Sequence, residues 1–188
     1  MVRGQVEVPP PETVGSFDDY YRSDKTPLIG FVLKLGAEPV EAEDAAQDAM
    51  EEIFMRWDRI GGSNPAAYAR RVAERKYVRS RARTGIELEK LRLVDWAAER
   101  AFPGVEQVLL RDQARWLIQI MQDLPYEQRR VFAWHADGFG TAEIAGSIGK
   151  PESTVRSNLR HARAAVRKAL AARVPSNTSA TGRKEAGQ

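Results

Sequence analysis

Residues 124–170 read LPYEQRRVFAWHADGFGTAEIAGSIGKPESTVRSNLRHARAAVRKAL, and the fold follows from how this stretch divides. A helix is predicted from Pro125, because a proline in a first turn gives up an N–H that has no partner there. Gly138 and Gly140 then break the chain. Thr141 is placed to cap a short helix carrying Ile144, Ala145 and Ile148 on one side, with Glu143 in its first turn complementing the helix dipole. Gly149 and Pro151 punctuate a tight turn, and a longer helix is predicted over 152–170. Two helices joined by a short glycine-containing turn make a helix-turn-helix unit.

The long helix indicates what the unit meets. Val155, Leu159, Ala162, Val166 and Ala169 recur at four- and three-residue steps, which makes one buried stripe. Arg156, Arg160, Arg163 and Arg167 repeat those steps one residue later, about 100° around the helix. One face therefore packs down while its neighbour presents guanidinium groups, which match phosphate oxygens and the guanine edge bidentately. A solvated charged face is the plainer alternative. A run of arginines without interleaved acids, on the second helix of a helix-turn-helix, favours DNA.

Working outward, the 188 residues carry a net charge of only +3, so basicity has to be judged locally. The chain has no cysteine, which excludes a disulfide framework, thiol catalysis and cysteine-ligated zinc. No apolar run approaches a membrane span, and residues 1–15 lack the apolar core of a signal peptide, so a cytoplasmic protein is expected. Residues 1–15 are rich in proline and 174–188 in small polar residues; both read as disordered. No strand-like alternation of any length occurs, and the expected fold class is all-α.

Ser16 and Asp19 resemble a capping box, followed by Phe17, Tyr20 and Tyr21. Pro27 is expected to interrupt that helix. A new stripe follows at Leu28, Phe31, Val32 and Leu35, stopped by Gly36. The next helix is predicted over 40–57, burying Ala42, Ala45, Ala46, Ala49, Ile53 and Trp57. Beside them Glu41, Asp44, Asp48 and Glu52 form an acidic ridge. Such a ridge can be a solvated face, can dock a basic partner, or can bind a divalent metal. One helix supplies every carboxylate, which argues against the metal, since hard cations gather ligands from several directions.

Asn64 is read as the cap of a helix with Pro65 at its first position. Seven of the fourteen residues from 70 to 83 are basic and only Glu74 is acidic, with Val72, Ala73 and Tyr77 on the packed side. Tyr68 and Tyr77 sit among the charges, a mixture suited to single-stranded nucleic acid; equally, each tyrosine can be core. Residues 84–104 lose the clean stripe and read as a linker ending at Pro103 and Gly104. Helix is predicted to resume at Val105, burying Val108, Leu109, Leu117, Ile120 and Leu124, with Trp116 alongside. Two small helical domains result, 16–83 and 105–173. Neither carries a catalytic constellation, and His135 and His161 suggest no metal site. His135 reads as structural, and His161, on the arginine-bearing helix, as facing DNA.

The arrangement resembles the extracytoplasmic-function group of bacterial RNA polymerase sigma factors, in which sigma region 2 and sigma region 4 are joined by a linker. FDDYYRSDKTPLIGFVLKLGAEPVEAEDAAQDAMEEIF (17–54) looks like the opening of region 2, and residues 138–170 like the helix-turn-helix of region 4. The resemblance implies that Asp44, Gln47, Asp48 and Glu51 meet core RNA polymerase. It implies that the helix from Asn64 to Arg83 meets the minus-ten element and its opened strand, through Tyr68, Arg71, Arg75, Lys76 and Arg79. Thr154, Arg156, Ser157, Asn158, Arg160, His161 and Arg163 would face the minus-thirty-five element. It further implies promoter DNA and an anti-sigma factor as partners, no cofactor, no catalysis, and association with the nucleoid in holoenzyme. Arg75 and Arg79 stand where the family usually has asparagine and aspartate, Tyr68 lies near the place of a frequent tryptophan, and Lys150 occupies a usually apolar turn position. Two alternatives stay open on the residues alone. One is a free-standing helix-turn-helix regulator, which would usually dimerise on paired half-sites. The other is a metal-dependent nuclease built on the acidic ridge.

Overall fold

A computed structural model describes residues 16–83 and 112–173. Eight α-helices cover most of them, and no strand occurs among the described residues. They are α1 (Phe17–Lys34), α2 (Pro39–Phe54), α3 (Trp57–Ile60) and α4 (Pro65–Arg83) in the first half. The second half holds α5 (Asp112–Gln122), α6 (Tyr126–Ala136), α7 (Thr141–Ile148) and α8 (Glu152–Arg173). The expected segments 1–15, 84–104 and 174–188, with Val105, Val108 and Leu109, lie outside the described residues.

The first half is α1, α2 and α4 packed around an alanine-rich seam. Ala42, Ala46, Ala49 and Ala73 are fully buried, and side chains this small let α2 approach α4 closely. Ser16 caps α1 by accepting from the Asp19 N–H at 3.3 Å, while its own hydroxyl donates to the Asp19 carboxylate. Asn64 caps α4 by accepting the Ala67 N–H at 2.9 Å, with Pro65 first in the helix as expected.

In the first half two boundaries differ from the sequence reading. Pro27 does not interrupt α1; the helix runs through it. Proline removes one backbone bond from a helix, and here its ring is exposed while Leu28 to Leu33 beyond it are all buried, so packing holds the helix together. The predicted helix 40–57 ends at Phe54. Trp57 belongs to the separate short α3, half-buried against Phe17 and Tyr20 at ring distances of 5.5 and 5.2 Å.

In the second half Pro125 is the residue before α6 rather than its first turn, with an extended ψ of 143°. Gly140, not Thr141, is the cap position of α7, and its N–H donates to the Glu143 carboxylate at 2.8 Å. Thr141 instead donates its hydroxyl to Glu152 of α8 at 2.7 Å, tying the two helices of the unit together. Gly149 ends α7 at φ +66°, a left-handed conformation that favours glycine. On α5 the deepest residues are Ile118 and Met121, with Leu117 and Ile120 half-buried and Leu124 buried. The stripe is thus turned by one residue, because α5 packs against both α1 and α8.

The hydrophobic core is continuous from one half into the other. Phe31 of α1 meets Trp134 of α6 edge to face, with ring centroids 5.5 Å apart, and Trp134 in turn meets Phe139 at 5.0 Å.

Candidate nucleic-acid and partner interfaces

The acidic ridge of α2 divides in two when its neighbours are placed. Asp44, Gln47, Asp48 and Glu51 are exposed on one face. Gln47 reaches Glu51 at 3.4 Å, and Asp48 reaches Lys76 of α4 at 3.2 Å. Glu41 and Glu52 leave the ridge. Glu41 accepts from the buried Arg81 and from the Glu38 N–H, which fastens the start of α2. Glu52 accepts two bonds from Arg75, at 2.8 and 2.9 Å, and one from the Tyr68 hydroxyl at 3.2 Å. Burial works against the Glu52 charge, but Arg75, then Tyr68 and Arg56, hold its carboxyl below the usual glutamate range. Phe54 and Met55, 63% and 85% exposed, continue the outward face at the spacing 47, 51, 54–55. The sequence reading passed over them, although two large apolar residues ending a charged face were a visible signal.

The basic helix α4 also divides. Arg71, Arg75 and Arg79 are exposed and Lys76 is half-exposed. The Arg71 guanidinium lies 5.5 Å from the Tyr68 ring centroid. Tyr68 is half-buried and accepts from Arg56 at 2.8 Å, so its ring is held at the surface by a network joining α2 and α4. Tyr77 is core, and burial pushes its phenol up to about 12. Arg70 and Arg81 are buried ion-pair partners and not part of any nucleic-acid surface. The uncompensated charge read from 70–83 is therefore smaller than the sequence count, because two of the seven bases and Glu74 point inward.

Arg70 donates to Asp24 at 2.7 and 2.9 Å and to Asp137, in the other half, at 2.8 Å. Burial would lower its pKa, but the two carboxylates hold it above the ordinary arginine value. Lys34 pairs with the same Asp137. Glu74 accepts from the Tyr126 hydroxyl at 3.1 Å and from the Trp134 indole at 3.3 Å, and pairs with Arg130. Arg129 is buried and donates to the Leu35 carbonyl at 3.2 Å and the Leu124 carbonyl at 3.0 Å, capping the C-terminal ends of α1 and α5 together. Burial pushes its guanidinium down from the usual range. Gly36 sits beside this contact at φ +97°, and any Cβ there would collide with the Arg129 guanidinium.

On α8 the stripe Val155, Leu159, Ala162 and Val166 is buried and Ala169 half-buried. Thr154, Arg156, Ser157, Arg160, His161, Arg163 and Arg167 are exposed. Asn158 is half-buried and donates to the Thr154 carbonyl at 3.1 Å, so its amide is engaged within the helix. Arg156 lies 3.5 Å from Glu152. Arg163 donates to His135 Nε2, and His135 Nδ1 faces the Phe139 carbonyl at 3.3 Å. That bond pattern makes His135 a structural strut from α6 to the turn and to α8. Among the described residues no helix is long and apolar enough to cross a membrane, and no cluster of three or more metal-ligating side chains forms.

Comparison with known proteins places both halves. Residues 20–85 match the family model "Sigma-70 region 2" and residues 114–166 match "Sigma-70, region 4". The chain is 30% identical over 164 residues to the RNA polymerase sigma-E factor of Streptomyces avermitilis, covering 84% of this chain and 86% of that protein. It is 29% identical to the sigma-E factor of Streptomyces coelicolor, over 84% and 87% of the two chains. Among solved structures it is similar in fold to the sigma factor RpoE of Bartonella quintana, determined in complex with the anti-sigma factor NepR. The TM-score there is 0.59 at 22% identity, covering 82% of this chain and 96% of that one. With region 2 built from α1–α4 and region 4 from α5–α8, the chain belongs to the sigma-70 family of RNA polymerase sigma factors, in its extracytoplasmic-function group.

Proposed function

We propose a division of labour between the surfaces of this sigma factor. Residues 16–83 form the unit that docks core polymerase and meets the minus-ten element, and 105–173 form the unit that meets the minus-thirty-five element. Asp44, Gln47, Asp48 and Glu51 dock a basic surface of the polymerase. Tyr68, Arg71, Arg75, Lys76 and Arg79 face the minus-ten element, with the Tyr68 ring offering a stacking platform. Thr154, Arg156, Ser157, Asn158, Arg160, His161 and Arg163 face the minus-thirty-five element. The factor works in the cytoplasm, on the nucleoid when in holoenzyme, as a recognition subunit without catalysis of its own. An anti-sigma factor is its expected regulatory partner, the class of protein bound to the similar RpoE.

The observation that carries this reading is the exposure, in one chain, of a four-residue acidic-polar face on α2 and of an arginine-lined recognition helix on α8. A free-standing regulator has use for the second only. The test is co-purification with core polymerase. Asp44→Arg with Asp48→Arg reverses two exposed charges and should abolish core binding while the thermal unfolding curve stays in place, since exposed substitutions change stability little. Unimpaired core binding by the folded double variant would withdraw the docking assignment.

A further inference from the structure

A cleft of about 470 Å³ indents the surface where α4 faces α6 and α7. Val72 and Val78 form the apolar part of its α4 wall, with the Tyr68 ring beside them. From the other side α6 contributes Tyr126 and Arg130, and α7 contributes Ser147. A space of this size suits a small molecule, since ligand pockets run from about 300 to 1,000 Å³. It is too small for a duplex or a folded partner.

The charge in the cleft is one-sided. Three guanidinium groups line it, from Arg71, Arg75 and Arg130, against the single carboxylate of Glu74. Glu74 is already committed to Tyr126, Trp134 and Arg130. The arginines are not. Arg71 is exposed and has no carboxylate partner among the described residues; its guanidinium lies beside the Tyr68 ring. Arg75 holds Glu52 through Nη2 alone, so Nε and Nη1 keep their donors. Arg130 pairs with Glu74 through Nε, and among the described residues its two terminal nitrogens make no hydrogen bond. Guanidinium donors in this number match phosphate oxygens, and the two tyrosine rings offer faces on which a flat base can stack.

We propose that this cleft binds a free nucleoside phosphate, with its base against the tyrosine and valine wall and its phosphates among Arg71, Arg75 and Arg130. A free nucleotide fits better than a nucleotide of an opened strand, because Tyr126, Arg130 and Ser147 come from region 4, which has no part in the minus-ten roles proposed above. A ligand held by α4 and α6 together is bound by the folded chain only, so it adds stability as its concentration rises. Tyr68, Arg71 and Arg75 belong both to the cleft and to the proposed minus-ten face. The nucleotide and the opened strand therefore compete, a consequence that rests on those proposed roles.

The test is calorimetric titration of the full-length free chain with adenosine, guanosine and uridine diphosphates, each alone, and with inorganic pyrophosphate and free adenosine as separate arms. At least one diphosphate should bind, more tightly than pyrophosphate or adenosine, and should raise the unfolding temperature. Arg130→Gln removes a charged donor from the cleft and should weaken binding by about tenfold or more. Ser147→Phe is an independent second variant that fills the cleft from α7 and touches none of the proposed DNA or polymerase contacts; it should abolish binding while the chain stays folded. Arg22→Ala removes an exposed charge of α1 that does not line the cleft, and should bind as wild type. No binding by any diphosphate, or binding that survives both cleft variants, would overturn the site. So would pyrophosphate binding as tightly as the nucleotides, or an equal loss in Arg22→Ala, since either would mean a general attraction of anions. Nucleotide added before core polymerase and promoter should slow open-complex formation by wild type and not by Ser147→Phe. Binding that passes every arm yet leaves opening unslowed would strike the minus-ten roles of Tyr68, Arg71 and Arg75 instead, and would leave the nucleotide site supported.

Discussion

The indole N–H of Trp134 donates to Glu74 Oε2 at 3.3 Å, so the single acidic residue of the basic stretch 70–83 is satisfied by the core of the opposite half. Glu74 is 5% exposed and Trp134 fully buried. The bond explains why an acid sits among seven bases, since it is the acceptor for three donors from α6. Glu74→Ala would leave the Trp134 N–H and the Arg130 guanidinium without their partner. The expected cost is about 1–3 kcal/mol, read as a lower urea midpoint. A midpoint unchanged from wild type would show that water replaces Glu74 without loss.

Reading and anchoring on α8 should separate along the helix. Recognition helices reach bases through their N-terminal residues, while later residues drift toward the backbone. Arg156→Ala should cost about 1–3 kcal/mol on the preferred upstream element and flatten discrimination among its variants. Arg167→Ala should weaken binding about equally on all sequences and reduce the salt slope by about one at most. Affinities of holoenzyme for a panel of single-base variants, at several salt concentrations, decide it. If Arg167→Ala changes the preferred base and Arg156→Ala does not, the helix lies in the groove in the opposite sense.

The Glu52 network predicts a pH dependence. A carboxyl whose folded pKa lies below its unfolded value adds stability above the unfolded value, and that contribution vanishes as pH falls through the folded one. Glu52 is held low by Arg75, Tyr68 and Arg56 against the effect of burial. The stability advantage of wild type over Glu52→Gln should therefore be largest above about pH 5 and shrink as the pH drops below the ordinary glutamate pKa of about 4.3. Paired urea titrations at each pH measure the difference. An advantage that is flat down to about pH 3 would mean that Glu52 contributes by shape alone.

The helix-turn-helix turn offers a test of backbone conformation without steric interference. Gly149 adopts φ +66°, and a Cβ there would meet nothing within 4 Å. Gly149→Ala should cost about 1 kcal/mol from the left-handed conformation alone, and Gly149→Asn noticeably less, since asparagine tolerates that region. Thermal unfolding of the two variants gives the comparison. Equal losses would point to a role for the glycine beyond its φ.

Local signals in the sequence settled the elements. The steps of Val155, Leu159, Ala162 and Val166 place the buried stripe of α8, and the arginine stripe one residue later is exposed as that geometry demands. Asn64 before Pro65, and Ser16 three residues before Asp19, mark helix starts through bonds closing within one turn. What depends on neighbours far along the chain was not legible there. Pro27 does not break α1, because burial of the residues after it outweighs one missing backbone bond. Seven bases in fourteen residues read as one charged surface, yet Arg70 and Arg81 are drawn inward by Asp24, Asp137 and Glu41, carboxylates 40 to 67 residues away. The acidic ridge lost Glu41 and Glu52 to the same kind of pairing. Periodicity reports which way a side chain leaves its own helix, and that was enough for an all-α chain whose last helix carries an exposed arginine stripe. Which charge meets which, and that the two halves close through Glu74 and Asp137, is decided only when helices distant in sequence pack, because a long side chain goes to whichever partner the tertiary fold brings within reach.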